Sequence, residues 1–338
     1  MPAGRSVDVV DLVERARAGQ PRAVARLISL VENDSPARRE IAAALTRYGG
    51  YAQVVGLTGS PGVGKSTCTS ALVALLRAGG KRVGVLAVDP SSPFSGGALL
   101  GDRVRMQDHA PDPDVFIRSM ASRGQLGGLS VAVPYALRVL DAARYDVVLI
   151  ETVGVGQAEV EIAALADTTL VLLAPGLGDG IQAAKAGILE IADVLVVNKA
   201  DRDGADQVAR DMRAMQWLGG RCAGPAAWRA PIVKTVAARG EGIDKVVQAV
   251  DQHHTWLVEH GELGRRRRAR AASEIEAIAL GQLRARFAAV HGSAALAAAA
   301  ARVAAGQSDP YAAAAELVTG ILRTNRLGLP LRPARRAD

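Results

Sequence analysis

The chain has 338 residues, of which 49% are hydrophobic and 22% are charged, the proportions of a globular protein. This length predicts one large domain with appended segments. The net charge of +7 would suit nucleic acid, but aromatic residues make up only 3%, which argues against nucleic-acid binding. The sequence has no run near the roughly 18 apolar residues of a membrane span and no signal-peptide core, so we expect a cytoplasmic protein without a membrane partner.

The first 50 residues have the apolar spacing of helices. Apolar side chains recur at steps of three and four residues, which places them on one face of a helix. The clearest set is Val24, Leu27, Ile28 and Val31. We therefore expect helices over residues 6–49 and assign residues 1–50 to an N-terminal helical extension. This extension is either a lid or docking segment packed on the following domain or a purely structural addition.

From Tyr51 onward, short apolar strands alternate with helices, the pattern of a parallel α/β sheet flanked by helices. The predicted strands cover residues 53–58, 82–88, 114–117, 146–150, 169–173, 194–197 and 231–235. Ligands of such sheets bind beyond the carboxyl ends of the strands, so the residues after each strand are the candidates for chemistry. We assign residues 51–258 to this domain.

A phosphate-binding pattern follows the first predicted strand. Its residues are Gly59-Ser60-Pro61-Gly62-Val63-Gly64-Lys65-Ser66, followed by Thr67. They match the P-loop, in which glycines let backbone N–H groups converge on a phosphate at the start of a helix. The Lys65 ammonium can reach the β- and γ-phosphates, which makes it a predicted catalytic residue, and the Ser66 hydroxyl can ligate Mg²⁺. The pattern predicts a P-loop NTPase sheet, and a glycine-rich turn without a ligand is the alternative.

Two acidic residues near the second predicted strand are candidate metal ligands. Asp89 follows that strand directly, and Asp102 lies in the glycine-rich segment after it. Mg²⁺ prefers oxygen ligands and keeps several waters, so a carboxylate beside a P-loop can bind it directly or through water. The segment around Asp102 has the composition of a switch that orders when a γ-phosphate is bound. For Asp89 the alternative is an Asp that begins a turn of Pro and Ser residues.

The strand predicted at 146–150 ends in Glu151, in the sequence Glu151-Thr152-Val153-Gly154. Glu151 can accept a hydrogen bond from Mg²⁺-bound water or orient the attacking water, so it is both a predicted catalytic residue and a candidate metal ligand. The Gly154 N–H can contact the γ-phosphate. The alternative for Glu151 is a strand-end carboxylate without a catalytic role.

A base-reading pattern, Asn198-Lys199-Ala200-Asp201, follows the sixth predicted strand. The Asp201 carboxylate can accept from N1–H and the exocyclic amine of guanine, groups that adenine lacks at those positions, so the pattern predicts GTP over ATP. Asn198 would steady the loop, and the Lys199 stem would cover the base. After the last strand, a backbone N–H of Val236-Ala237-Ala238 is expected to contact guanine O6.

Residues 262–323 return to helical periodicity, and we assign residues 259–338 to a C-terminal helical arm. Its apolar stripe comprises Ile275, Ile278, Ala279, Leu283, Phe287 and Val290. A helix beyond the core with its own stripe predicts a dimerisation surface and hence a homodimer. The run from Arg265 to Arg268 favours a solvated helix face, and a nucleic-acid-binding switch without enzymatic activity is the alternative.

Taken together, these motifs resemble those of the MeaB/ArgK family of GTPases. The matching segments are Gly59 to Thr67, Val88 to Ser92, Leu100 to Arg103, Glu151 to Gln157 and Asn198 to Asp201. The resemblance implies a homodimeric chaperone of methylmalonyl-CoA mutase. Such a protein couples GTP hydrolysis to adenosylcobalamin delivery and to protection or reactivation of the mutase.

The resemblance also implies roles for single residues, with GTP or GDP and Mg²⁺ as cofactors. The residues implied for phosphate, Mg²⁺ and catalysis are Lys65, Ser66, Asp89, Asp102 and Glu151, and those implied for guanine are Asn198, Lys199 and Asp201. The alternative function is a kinase of amino-acid-binding transport proteins, a role once given to this family. No acceptor-binding motif is visible in the sequence, and Asp201 argues against ATP.

Overall fold

The computed structural model describes residues 8–33, 35–89, 106–121, 132–152, 158–176, 190–219, 227–288 and 292–324. The strands are β1 (Gln53–Thr58), β2 (Val83–Asp89), β3 (Val115–Ala121), β4 (Val147–Thr152), β5 (Thr168–Leu173), β6 (Val194–Val197) and β7 (Ile232–Lys234). The helices are α1 (Val9–Arg17), α2 (Pro21–Glu32), α3 (Arg38–Leu45), α4 (Lys65–Ala78), α5 (Ala132–Ala142), α6 (Ala158–Leu165), α7 (Ala205–Gly219), α8 (Ile243–Glu259), α9 (Glu262–Ala288), α10 (Ala294–Ala304) and α11 (Pro310–Thr324).

The seven strands form one parallel sheet in the order β3-β2-β4-β1-β5-β6-β7. Every predicted strand is present, so the predicted α/β class is confirmed. β1 lies at the centre of the sheet and pairs with β4 on one side and β5 on the other. The residues of β4, β5 and β6 are buried throughout, which explains why these strands are continuous apolar runs.

The edge strand β3 is longer than the predicted 114–117. The apolar run stops there because Arg118 and Ser119 follow it. The Arg118 guanidinium, however, donates to Glu32 Oε2 at 2.6 Å and to Ser29 Oγ at 3.0 Å, both on α2. A charged residue can continue this strand because the N-terminal helices supply its hydrogen-bond partners.

Helices cover both faces of the sheet. On one face, Leu72 of α4 and Val250 of α8 belong to the same buried cluster as Val55 of β1. On the other face, α6 lies so close to β1 that a Cβ added at Gly56 would be 2.8 Å from Ile162 Cγ1, which explains the glycine. The helices α1, α2 and α3 pack against one another and against α5, so the N-terminal extension is part of this layer.

Two members of the arginine run at 265–268 are not on a solvated helix face, and that prediction is wrong for them. Arg266 donates to both carboxylate oxygens of Asp193, each at 2.8 Å, and Arg267 donates to Asp167 Oδ2 at 3.0 Å. Asp167 and Asp193 immediately precede β5 and β6 and are buried. The arginines are turned inward because buried carboxylates need such partners.

The chain divides into two compact units, residues 1–270 and 271–338. In the second unit, Ser293 Oγ caps α10 by accepting from Leu296 N at 3.2 Å, and Asp309 Oδ1 caps α11 by accepting from Ala312 N at 3.0 Å. The helices α10 and α11 pack against each other. Within the part of the chain that the structure describes, no helix has the length and apolar character to cross a bilayer.

Candidate functional site

The P-loop segment lies where β1 ends at the centre of the sheet and α4 begins. Two of its glycines occupy positions that no other residue fits. Gly59 has a φ of +141°, and an added Cβ would lie 2.3 Å from Leu172 O. Gly64 has a φ of +95°, and its Cβ would lie 2.5 Å from Asn198 Nδ2. The loop can therefore approach β5 and the segment after β6 only because these residues are glycines.

The Lys65 side chain is buried and bends back over the loop. Its ammonium donates to Gly59 O at 2.8 Å and to Ser60 O at 3.2 Å. The first turn of α4 adds the positive partial charge of a helix N-terminus at the same place. The loop thus concentrates positive potential at the carboxyl edge of the sheet, which suits a phosphate.

Two hydroxyl groups of α4 bind Glu151, which is buried near the end of β4. Ser66 Oγ donates to Glu151 Oε1 at 2.6 Å, and Thr69 Oγ1 lies 2.8 Å from Oε2. The structure thus joins two of the predicted site residues and adds a third that the sequence analysis missed. Thr69 lies three residues after Ser66, and this spacing, which places both on one helix face, is the signal that could have found it.

A buried thiol next to this carboxylate stays protonated. Burial, with a smaller contribution from the charge of Glu151, raises the pKa of Cys68 to about 12. The thiolate is the form of cysteine that attacks substrates and binds metals. Cys68 is therefore a packing residue of α4.

The oxygen donors at this edge fit Mg²⁺ bound jointly by protein and phosphate. The hydroxyl of Ser66 and the carboxylate of Glu151 are the ligand types that Mg²⁺ prefers. Among the described residues, no group of three or more His, Cys, Asp or Glu side chains could hold a metal by itself.

The other predicted ligands of the metal and the γ-phosphate are placed only in part. Asp89 is the last residue of β2, and its neighbour Val88 pairs with Thr152 of β4. The backbone of Asp89 therefore lies at the same edge of the sheet as Glu151. Asp102 and Gly154 lie outside the described residues.

Asn198 connects the predicted phosphate and base segments. Its Nδ2 donates to Val63 O at 2.8 Å, and its Oδ1 accepts from Ala237 N and from Thr235 Oγ1, both at 3.1 Å. The side chain is buried, so these bonds are not exposed to competition from water. Asn198 thereby holds the loops after β1, β6 and β7 in a fixed relation.

Of the other residues of the base-reading pattern, Lys199 is half-buried and Asp201 is exposed. Lys199 has a φ of +56°, and its ammonium donates to Gly62 O at 2.6 Å. Asp201 Oδ2 accepts from Arg239 Nη2 at 3.3 Å. An exposed ion pair is worth little, so the Asp201 carboxylate can exchange Arg239 for another donor. The sequence analysis did not single out Arg239, because nothing local in the sequence connects it to Asp201.

The segment Val236-Ala237-Ala238 closes the same edge of the sheet. Val236 N donates to Glu241 O at 3.0 Å, and Ala237 N donates to Asn198. The predicted contact with guanine O6 therefore stays a prediction for the N–H of Ala238. Ala237 and Ala238 also line a groove of about 870 Å³ that runs along α4 from Ser66 to Ala78 and reaches the start of α8.

Comparisons with known proteins agree with these features. The sequence model of the family described as methylmalonyl-CoA mutase-associated GTPase MeaB matches residues 24–291. A relative from Pyrococcus horikoshii, named as a candidate GTPase, is 48% identical over 277 residues, which cover 80% of this chain and 86% of that one. The GTPase ArgK of Escherichia coli strain K12 is 38% identical over 263 residues, covering 75% and 78% of the two chains.

Among solved structures, one described as a LAO/AO transport system kinase is 27% identical and has a TM-score of 0.67. The similarity covers 93% of this chain and 97% of that one, which supports the same fold. The family match includes every segment from the P-loop to the base-reading loop, so the resemblance inferred from the motifs is confirmed. This chain belongs to the MeaB family, and it is a GTPase with a P-loop fold.

Proposed function

We propose that this GTPase is a chaperone of methylmalonyl-CoA mutase that assists adenosylcobalamin loading and protects the mutase. The observation that carries the proposal is the match over residues 24–291 to a family described as associated with that mutase. The site supports the proposal. In a chaperone driven by GTP, the change from GTP to GDP must alter the conformation of more than one loop. Asn198 bonds three of them together.

At the phosphates, the N–H groups of the loop from Gly59 to Thr67 and the Lys65 ammonium would take up negative charge. Lys65 would exchange its two carbonyl acceptors for phosphate oxygens, which form stronger, charge-assisted hydrogen bonds. Ser66 would help to hold Mg²⁺, which when bound supplies positive charge at the β- and γ-phosphates. Glu151 would orient a water molecule, either the attacking one or one on the metal.

Three further roles are part of the proposal. Asp89 and Asp102 are the additional metal ligands, and the N–H of Gly154 contacts the γ-phosphate. The support for Asp89 is its backbone position at the same edge as Glu151.

At the base, Asp201 would exchange Arg239 for N1–H and the exocyclic amine of guanine. The exposed, long contact with Arg239 makes this exchange inexpensive. Asn198 would steady the loop, and the Lys199 stem, which already crosses to the P-loop, would cover the base. Ala238 would contact guanine O6 through its N–H.

We further propose a homodimer in the cytoplasm, without a membrane or nucleic-acid partner, in which residues 1–50, 51–258 and 259–338 are the helical extension, the GTPase domain and the dimerisation arm. The support for the dimer is the exposed apolar side chains of α9, among them Ile275, Leu283 and Phe287. Against nucleic acid, Arg266 and Arg267 are already engaged by buried carboxylates.

The test of the chaperone proposal uses the full chain and the methylmalonyl-CoA mutase of the same organism. We expect a complex in gel filtration in the presence of a non-hydrolysable GTP analogue, and a several-fold faster GTP hydrolysis when the mutase is added. The Lys65→Ala variant is the control, because it should show no acceleration. A wild-type chain that neither binds the mutase nor changes its rate would contradict the proposal.

The second candidate is a kinase of amino-acid-binding transport proteins. It is favoured by one observation, the similarity to the structure described as a LAO/AO transport system kinase. A transfer assay with γ-labelled GTP and ATP decides between the candidates. Label on a binding protein would support the kinase, whereas label found only in free phosphate would support hydrolysis.

A further inference from the structure

The buried carboxylate of Glu151 has a hydroxyl group at each of its oxygens. Ser66 Oγ lies 2.6 Å from Oε1 and Thr69 Oγ1 lies 2.8 Å from Oε2. Both hydroxyls come from α4, and Thr69 is 0% exposed. The carboxylate plane is therefore fixed at both ends by groups on the helix that begins at the P-loop.

The second hydroxyl matters because a carboxylate rotates easily about its last bond. The terminal torsion of a Glu side chain has broad, shallow minima, so one hydrogen bond does not determine the direction of the other oxygen. Thr69 is β-branched and has only two favoured rotamers in a helix, so its hydroxyl can take few positions. A hydrogen bond from Thr69 to Oε2 leaves Oε1 facing Ser66.

Thr69 has a second acceptor within reach, which sets up the competing explanation. Its hydroxyl lies 3.0 Å from Lys65 O, the ordinary bond of a threonine to the preceding helical turn. The hydroxyl has only one proton to donate, and an ionised carboxylate is a stronger acceptor than a carbonyl. If Thr69 served only the helix, its removal would not affect the nucleotide site.

We propose that Thr69 is a positioning residue that fixes the rotation of the Glu151 carboxylate and thereby sets the affinity of the nucleotide-loaded site for Mg²⁺. The inference rests on the proposed roles of Ser66 and Glu151 at the metal. Thr69 itself touches neither nucleotide nor metal in this assignment. It acts by keeping Oε1 directed at the Ser66 hydroxyl and its surroundings.

The experiment compares Thr69→Val, which keeps the shape but loses the hydroxyl, with Thr69→Ser, which keeps the hydroxyl. The primary readout is the Mg²⁺ dependence of GDP affinity, measured by calorimetry with the full chain. We expect Thr69→Val to raise the half-saturating Mg²⁺ concentration about tenfold and Thr69→Ser to stay within about twofold of wild type. The affinity for GDP in a chelator should not change, because Thr69 contacts no phosphate.

Thr169→Val is the matched control. Thr169 is a buried threonine of β5 whose hydroxyl has no hydrogen-bond partner among the described groups, so this variant removes a buried hydroxyl away from Glu151. It should leave the Mg²⁺ dependence as in wild type. If Thr69→Val does not fold, Thr69→Ala replaces it in the comparison with Thr69→Ser.

A double variant tests whether Thr69 acts through the carboxylate. In a Glu151→Gln background, Thr69→Val should change the half-saturating Mg²⁺ concentration by less than about twofold. The proposal is overturned if folded Thr69→Val keeps the wild-type Mg²⁺ dependence, or if its effect is undiminished in the Glu151→Gln background. A wild-type chain whose GDP affinity does not respond to Mg²⁺ would instead remove the proposed metal role itself. No mutase is needed, so failure of the chaperone proposal is a separate result.

Discussion

Lys65 and Glu151 both lie at the carboxyl edge of the sheet, and we expect them to have different roles there. Lys65 is bound to carbonyl groups of its own loop, whereas Glu151 is bound to hydroxyls of α4. The first contact is made by a cation suited to phosphate, and the second by an anion suited to water or metal. Substitution at the two positions should therefore separate binding from hydrolysis.

We predict that Lys65→Ala weakens GTP binding about 100-fold, because a buried charge-assisted contact to phosphate is lost. Glu151→Gln should slow hydrolysis about 100-fold while GTP affinity at saturating Mg²⁺ stays within a few-fold of wild type. Calorimetry gives the affinities and phosphate release gives the rates. Equal loss of binding in both variants would show that Glu151 acts on binding and not on the attacking water.

Asp201→Asn tests the base assignment at the same scale. A carboxylate accepts from the guanine amine, whereas an amide can donate to the carbonyl that xanthine carries at that position, so the variant should lose affinity for GTP by about 100-fold and gain affinity for XTP. Competition of GTP, XTP and ATP for the P-loop measures the change. Arg239→Ala is the control, since it removes the guanidinium that contacts Asp201 in this structure and leaves the carboxylate itself unchanged. Unchanged discrimination in Asp201→Asn would remove the assignment.

At the scale of elements, two ion pairs attach the start of α9 to the residues that precede β5 and β6. Arg266 pairs with Asp193, and Arg267 pairs with Asp167. Burial lowers the pKa of the nearby His253 to about 4, so this imidazole is neutral at pH 7 and Arg266 is the cation that balances Asp193. The attachment of the start of α9 to the sheet thus depends on guanidinium groups.

Arg267→Ala should destabilise the first unit by about 2 kcal/mol, because the buried carboxylate of Asp167 loses its nearest cation. This carboxylate keeps the N–H of Val54 at 3.1 Å and the more distant Arg270 at 3.6 Å. Arg265→Ala, two residues earlier in the same arginine run, is the matched control. Arg265 is 65% exposed and pairs with Glu262 across one turn, so its loss should cost about 0.5 kcal/mol or less. Urea unfolding followed by tryptophan fluorescence measures both, since all three tryptophans lie in residues 1–270. Equal effects of the two variants would contradict the claim that buried ion pairs hold the start of α9 to the sheet.

The elements that could be predicted from the sequence are those whose signal is local. The apolar runs predicted all seven strands, and the P-loop and base-reading patterns predicted which residues meet at the carboxyl edge. What could not be predicted depends on partners distant in the chain. Arg266 and Arg267 are 73 and 100 residues from Asp193 and Asp167, and Arg118 continues β3 only because α2 supplies Glu32. Thr69 is intermediate. Its position on the same helix face as Ser66 could be predicted from the local spacing, but its contact with the distant Glu151 could not.

At the scale of the whole molecule, the exposed apolar side chains of α9 bear on the proposed dimer. Ile275 is 68% exposed, and Leu283 and Phe287 on the same helix are also exposed. Several exposed apolar side chains on one helix are typical of a surface that becomes buried against a partner. The arm beyond the junction is therefore where we expect self-association.

We predict that Phe287→Glu combined with Leu283→Glu weakens the dimer about 100-fold, because charges placed in an apolar interface lose their hydration. Val10→Glu, at an exposed apolar position on α1 outside the arm, is the control and should leave the dimer intact. Analytical ultracentrifugation over a range of concentrations measures the dissociation constant. A wild-type chain that sediments as a monomer throughout, or a double variant that remains dimeric, would contradict the prediction.

The amide of Asn198 has a consequence for how the two ends of a ligand cooperate. Because one buried side chain bonds both the strand-end loop proposed for the triphosphate and the one proposed for the purine, ordering either loop should also restrain the other. Separate fragments, such as guanosine and inorganic triphosphate, should therefore each bind more tightly when the other is present. The binding free energy of the intact nucleotide would then exceed the sum of the binding free energies of its two fragments.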